Sequence, residues 1–173
     1  MSETKSCAQL IRASAAQAAE EAAAHPWNPN SELRGTHLSR LAGLQRTGIS
    51  RVRIPPGKES FAYHAHHFEE EWIYILQGRG VAEIDGQDYQ VGPGDFMAFS
   101  TPSVAHHLRN PFEQELVYLM GGENRPFEVA DFPRLGKRML KLEGRAVVYE
   151  LDSGQPLRPL DAPAAGDRPE PKR

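Results

Sequence analysis

The sequence predicts an all-β sandwich or barrel, and three observations carry that prediction. Short runs rich in Val, Ile, Tyr and Phe recur at close, regular spacing, each bounded by Gly, Pro, Asp or Asn. One pair of runs, 81–84 and 87–91, flanks Asp85-Gly86, the turn dipeptide that best matches the twist of a β-hairpin. Finally, 15 glycines and 14 prolines against a hydrophobic fraction of 39% suit a chain with many turns and one modest core.

Taken in order, residues 6–24 read as one helix. Ser6 with Gln9 three positions on is a capping-box pattern, the interior is alanine-rich, and His25-Pro26 ends it. Its apolar stripe (Ile11, Ala15, Ala18, Ala22) is thin, so this helix needs the barrel or a partner subunit to pack on. Residues 27–47 open on the turn-forming Asn28-Pro29-Asn30 and read as an irregular arm with one edge strand; His37 reads as an ordinary, partly exposed histidine. Residues 49–54 make a strand closed by Pro55-Pro56-Gly57, and a further strand, 71–76, ends at the tight turn Gly78-Arg79-Gly80. After the 81–91 hairpin, Gly92-Pro93-Gly94-Asp95 and Thr101-Pro102-Ser103 bracket a strand at 96–99, followed by strands at 105–109 and 115–120. Residues 124–136 read as a loop carrying Phe127 and Phe132. Strands near 138–142 and 146–151 then cover an open barrel edge or exchange between subunits. Residues 156–173 are proline-rich and charged and are expected to be disordered.

A chain of 173 residues is about one domain. The formal net charge of −3 gives no electrostatic reason to expect nucleic acid or an anionic membrane as partner. Cys7 is the single cysteine, so no intrachain disulfide is possible and the reducing cytoplasm is the expected compartment. No run approaches the roughly 18 apolar residues of a membrane span, and the N-terminus lacks the apolar core of a signal peptide.

Chemistry concentrates in residues 57–80, where His64, His66, His67, Glu69, Glu70 and Glu71 fall within eight positions. Alternation along a strand puts Ser60, Ala62, His64 and His66 on one face, and Glu71, Ile73 and Ile75 on one face of the next. Two imidazoles and a carboxylate converging in this way form a ligand set for a divalent transition metal. An isolated His-x-His on a strand is more often ordinary polar packing; a further histidine downstream, at His106 or His107, shifts the balance. By the same alternation Ile73, Ile75, Met97, Phe99, Leu108, Tyr118 and Met120 point inward, giving a mostly apolar pocket with one phenol, while Trp72, Tyr74 and Leu76 take the other face.

Both stretches resemble the paired motifs of the cupin superfamily. The first family motif, G(X)5HXH(X)3–4E(X)6G, fits with His64, His66, Glu71 and Gly78; Gly57 lies one residue too far upstream. The second, G(X)5PXG(X)2H(X)3N, fits at its end with His106 and Asn110 and departs in the middle, where Val104 stands for a glycine. The match spans residues 49–121 and is similar to that of a bacterial group of single-domain cupins of uncharacterised function.

This resemblance implies a double-stranded β-helix, the cupin jelly-roll barrel, here with an N-terminal helix and C-terminal covering strands. It divides the chain into a helix and arm (1–47), a barrel core (48–122), strands completing the barrel (123–155) and a tail (156–173). It implies one divalent transition metal per chain (Fe, Mn, Zn or Ni) held by His64, His66, Glu71 and His106, with Tyr118 as acid or hydrogen-bond donor, Tyr63 or Arg53 at the rim, and a homodimer. By strand alternation His67 and His107 point to the opposite face as surface or supporting residues; Glu69 and Glu70 read as solvated acids, either of which could support the ligands from outside. The expected function is a metal-dependent oxygenase or sugar-type isomerase acting on a small organic molecule. The alternative is a non-catalytic small-ligand sensor. A phosphosugar substrate calls for a basic cluster, for which only Arg53, Arg79 and Arg109 offer themselves.

Overall fold

The computed structural model describes residue 7, residues 9–155 and residue 157. The expected tail, apart from Leu157, and the capping residue Ser6 lie outside the described residues. Thirteen strands are described: β1 (Glu21–Ala23), β2 (Leu33–His37), β3 (Thr47–Ile54), β4 (Ala65–His66), β5 (Glu71–Gln77), β6 (Gly80–Ile84), β7 (Gln87–Val91), β8 (Phe96–Phe99), β9 (His106–Arg109), β10 (Leu116–Glu123), β11 (Phe127–Phe132), β12 (Lys137–Leu142) and β13 (Arg145–Glu150). They form a six-stranded sheet ordered β1-β2-β3-β10-β5-β8, a four-stranded sheet β13-β12-β11-β4 and a three-stranded sheet β7-β6-β9. All strand pairs are antiparallel. This is the jelly-roll barrel expected from the sequence.

Alternation decides the core. Val52 and Ile54, Ile73 and Ile75, Met97 and Phe99, and Leu116 and Tyr118 come from the large sheet and meet Ala82, Val91 and Leu108 of the small one. The Asp85-Gly86 turn has positive φ at both residues (51° and 74°), as a type I′ hairpin requires. Gly78, with φ of 78°, is held to glycine twice over, because a Cβ there would lie 2.1 Å from the Glu115 carbonyl oxygen.

Three expectations are corrected. The helix over 6–24 shrinks to α1 (Ala13–Ala18), and Glu21–Ala23 becomes a strand paired with β2. None of the helix's residues is buried, so its thin apolar stripe offers no packing to extend it. Sheet pairing instead satisfies the backbone, and Glu20 is held by Arg53, whose Nε lies 2.9 Å away. The arm contains β2 as expected, but β2 lies inside the sheet between β1 and β3 and is followed by the short helix α2 (Leu38–Leu41). The loop at 124–136 contains β11, paired with β12 and β4. Its inward residues are Glu128, Ala130 and Phe132, and the buried glutamate masks an otherwise apolar alternation. Among the described residues no helix is long and apolar enough to cross a membrane.

Candidate metal centre

The segment that carries His64 and His66 is not a continuous strand. Residues 58–60 pair with residues 108–110, His64 with His106 of β9 and residues 65–66 with β11, so the segment passes from one sheet to another. The break occurs where the Ser60 hydroxyl, in place of a backbone carbonyl, accepts the Leu108 N–H at 2.9 Å. The inward alternation survives it. Ser60 and Ala62 are buried, and His64 and His66 follow on the same side.

Glu71 opens β5, opposite Gly122 of β10 and Phe99 of β8. Ligand atoms of His64, His66 and Glu71 all lie within 4.8 Å of one another. His106 enters from β9, with Nε2 3.0 Å from Glu71 Oε2 and its ring stacked on Phe99 at 3.6 Å between centroids. The His64 and His106 rings lie 4.9 Å apart. The structure thus brings together the four residues expected to converge. Asn110, fully buried, donates to the carbonyls of Ile54 and Gln114 and accepts from Phe112 N–H, which anchors the loop after β9.

Two of the imidazoles are oriented by backbone carbonyls. Nδ1 of His64 lies 2.8 Å from the Ala62 oxygen and Nδ1 of His106 lies 3.1 Å from the Val104 oxygen. Each turns Nδ1 to its carbonyl and Nε2 to the centre, the orientation that metal-binding histidines adopt. Burial pushes the His64 pKa down to about 3, so the ring stays neutral. Burial acts to raise Glu71, but hydrogen bonds from His106 and His66 hold it far below the usual carboxylate range. For His66, burial is outweighed by the hydrogen bond to Glu71 and the charges of Glu71, Glu128 and Glu69, and its pKa is raised. The neutral His64 ring and the ionised Glu71, with ring nitrogens of His66 and His106 turned to the same carboxylate, form a donor set that fits a divalent cation.

Behind these residues is a cavity of about 20 Å³ lined by His64, Glu71, Ile73, His106, Tyr118 and Met120, room for one water-sized group. Burial and the charge of Glu71 raise the Tyr118 pKa, so the phenol keeps its proton. In front lies a cavity of about 220 Å³ lined by His66, Glu71, Glu69, Met120 and His37. Its floor is backbone, because Gly48, Gly121 and Gly122 carry no side chain there.

Other residues stand differently from the sequence reading, His37 only in part: it is exposed, as read, and also lines the larger cavity, with Nδ1 3.0 Å from Ser50 Oγ. His107 is buried and not a surface residue, its Nδ1 3.6 Å from Glu83 and its Nε2 3.9 Å from Glu59. Glu69 is no solvated acid: it accepts from Lys141 Nζ and Arg125 N–H, both at 2.6 Å. Tyr63 packs on His107 beneath Arg134, away from the rim. The arginines weighed for phosphate are engaged elsewhere: Arg53 with Glu20 and Glu115, Arg79 over Phe112, and Arg109 with Asp88. Glu128, buried beside His66, went unnoticed in the sequence because its strand reads as a loop.

Comparison with known proteins agrees with this geometry. The family described as Cupin domain matches residues 50–122. A proposed sugar phosphate isomerase from Acidithiobacillus ferrooxidans is 32% identical, with a TM-score of 0.83 over 87% of this chain and 97% of that one. An uncharacterized protein from Methanocaldococcus jannaschii is 28% identical over 43% of this chain and 57% of its own. Quercetin 2,3-dioxygenase from Bacillus subtilis is 26% identical over 55% of this chain and 30% of its own. The chain thus spans only 57% and 30% of the lengths of those two curated relatives. Nearly the whole of the A. ferrooxidans protein is covered, and the cupin-domain match runs from β3 to β10 through the four converging residues: this chain belongs to the cupin superfamily.

Proposed function

We propose that this chain is a metal-dependent enzyme of isomerase type acting on a small hydroxy-carbonyl compound. One divalent transition metal, iron, manganese, nickel or zinc, would be held by His64, His66, Glu71 and His106. The observation that carries this reading is the convergence of His64, His66 and Glu71 ligand atoms within 4.8 Å, with His106 3.0 Å from the same carboxylate. A divalent ion bound there supplies Lewis acidity toward substrate oxygens. The protein supplies the rest. Backbone carbonyls of Ala62 and Val104 keep the Nε2 atoms of His64 and His106 aimed inward. Phe99 and Ile73 exclude water from one side, and Tyr118, which keeps its proton, offers a hydrogen-bond donor behind the centre. The 220 Å³ cavity in front suits a small molecule.

The likeness to the A. ferrooxidans protein favours the isomerase arm, and the shorter likeness to quercetin 2,3-dioxygenase supports oxygenase chemistry as a second reading. The reading includes a cytoplasmic homodimer; exposed Leu140, Val147, Val148 and Tyr149 on β12 and β13 supply apolar surface for such pairing.

Elemental analysis of protein from metal-replete medium tests the centre, with about one ion per chain expected. An aldose–ketose interconversion screen beside oxygen-consumption assays on catechols, hydroxy acids and keto acids separates the two chemistries. A metal-free wild-type protein sinks the reading; metal with turnover in neither screen leaves the non-catalytic ligand-binding module.

A further inference from the structure

We infer that Glu128 is the positioning residue for His66, and that the C-terminal strand β11 thereby sets the geometry of a centre whose other parts all come from the barrel core. The inference rests on the proposed metal centre. Its starting point is an asymmetry among the three imidazoles. Nδ1 of His64 and of His106 each face a backbone carbonyl, at 2.8 and 3.1 Å. Nδ1 of His66 has no hydrogen-bond partner among the described residues, and its nearest acidic atom is Glu128 Oε1 at 3.6 Å. Nε2 of His66 already faces Glu71 at 3.4 Å, so the ring lies between two carboxylates.

Glu128 is built for that place. Its side chain is 1% exposed. Oε1 accepts the His67 N–H at 3.0 Å and the Phe68 N–H at 3.3 Å, which ties down the loop that follows His66. Oε2 has no partner among the described residues. A buried carboxylate is costly unless donors reach it, and the Nδ1 of His66, itself without a partner among the described residues, lies nearest to it, 3.6 Å from the same Oε1 that holds the two amides. Closing 3.6 Å to hydrogen-bond length takes a shift of about half an ångström. His66 then carries its hydrogen on Nδ1 and turns Nε2 to the centre, the orientation that the Ala62 carbonyl gives His64. A carboxylate behind a metal-binding imidazole also raises its basicity, and removing such partners typically costs 10–100-fold in metal affinity.

The full chain is tested with Zn(II) by chelator competition and by ¹⁵N NMR of the histidine rings. Glu128→Gln keeps the shape and an oxygen for the two amides but removes the negative charge. We expect the Zn(II) Kd to rise 10–100-fold and the His66 ring to lose its Nδ1–H preference. His64 and His106 should keep theirs, which a general loosening of the fold would not spare. Unchanged affinity in Glu128→Gln, or an Nε2–H ring at His66 in the wild type without metal, overturns the inference. That second measurement needs no variant and stands even if Glu128→Gln fails to fold. If the wild type binds no Zn(II), the metal reading fails by itself. The tautomer of His66 in wild type and variant then decides whether Glu128 positions the ring.

Discussion

Two pairs of adjacent histidines, His66–His67 and His106–His107, each send one ring into the barrel and one out, and the two sides handle charge in different ways. Outside, His67 lies 2.9 Å from Asp131, which Arg138 also grips with two nitrogens, and His107 faces Glu83, which Arg134 grips likewise. Asp131 and Glu83 each have their own guanidinium, and Glu59, 3.9 Å from His107, accepts from Asn28 and Asn30. Inside, Glu71 has no lysine or arginine within ion-pair distance among the described residues, only His66 and His106. A buried carboxylate that faces only imidazoles is a donor set that a divalent cation fits. The same residue types thus make an arginine-held clamp on one side and a cluster of histidines around one acid on the other.

The largest expected effect tests that contrast directly. His64→Ala, Glu71→Ala and His106→Ala should each abolish metal retention after gel filtration. His67→Ala and His107→Ala should retain about one ion per chain, by elemental analysis. Equal loss in both groups would erase the distinction between inside and outside. Loading should also fall below about pH 6 as protons compete for the imidazoles. Binding that stays flat to pH 4 would argue against histidine ligation.

Next comes the acid sensitivity of the metal-free fold. Burial lowers the pKa of His25, of His64 and of His107, so between their folded values and the ordinary 6.5 the unfolded chain binds protons that the folded chain refuses. Stability from these groups is complete above about pH 6.5 and is lost as pH falls. Each group held neutral contributes a slope of up to about 1.4 kcal/mol per pH unit. His66, with its raised pKa, opposes part of this. Urea unfolding at pH 7 and pH 5 should show the loss; greater stability at pH 5 would reverse the sign.

Smaller effects probe the outer clamps. Arg134→Ala leaves Glu83, 7% exposed, facing only His107 and should cost about 1–3 kcal/mol in chemical unfolding without touching metal content. Smallest is Arg109→Gln. Its partner Asp88 is 59% exposed at the side chain, so loss of that pair should leave the chemical unfolding midpoint within error of the wild type.

Much of the centre was legible because strand alternation is a local rule. His64, His66 and Glu71 share the inner side once two β segments are recognised, and Asn110 picks out His106 over its neighbour, since the loop it anchors fixes where β9 ends. The Asp85-Gly86 hairpin was equally plain. What escaped was nonlocal. β11 hid because its inner face carries Glu128, a residue that period-2 reading counts as polar. Alanine-rich residues 21–23 favour a helix by propensity, yet an open sheet edge beside β2 recruited them as a strand. His37 reads as unremarkable in sequence and lines the larger cavity only because β2 docks on β3.

By itself the sequence determined which side chains point inward along each strand, where the tight turns fall, and hence that imidazoles and a carboxylate face a common interior. These follow from the two-residue repeat of a strand and the few conformations open to Gly, Pro and Asp. Only the tertiary structure decided which acids meet an arginine and which are left to the histidines. That depends on strands distant in the chain, such as β11 against β4 and Arg134 against β6, coming within a few ångströms of each other, and no local period encodes such a distance.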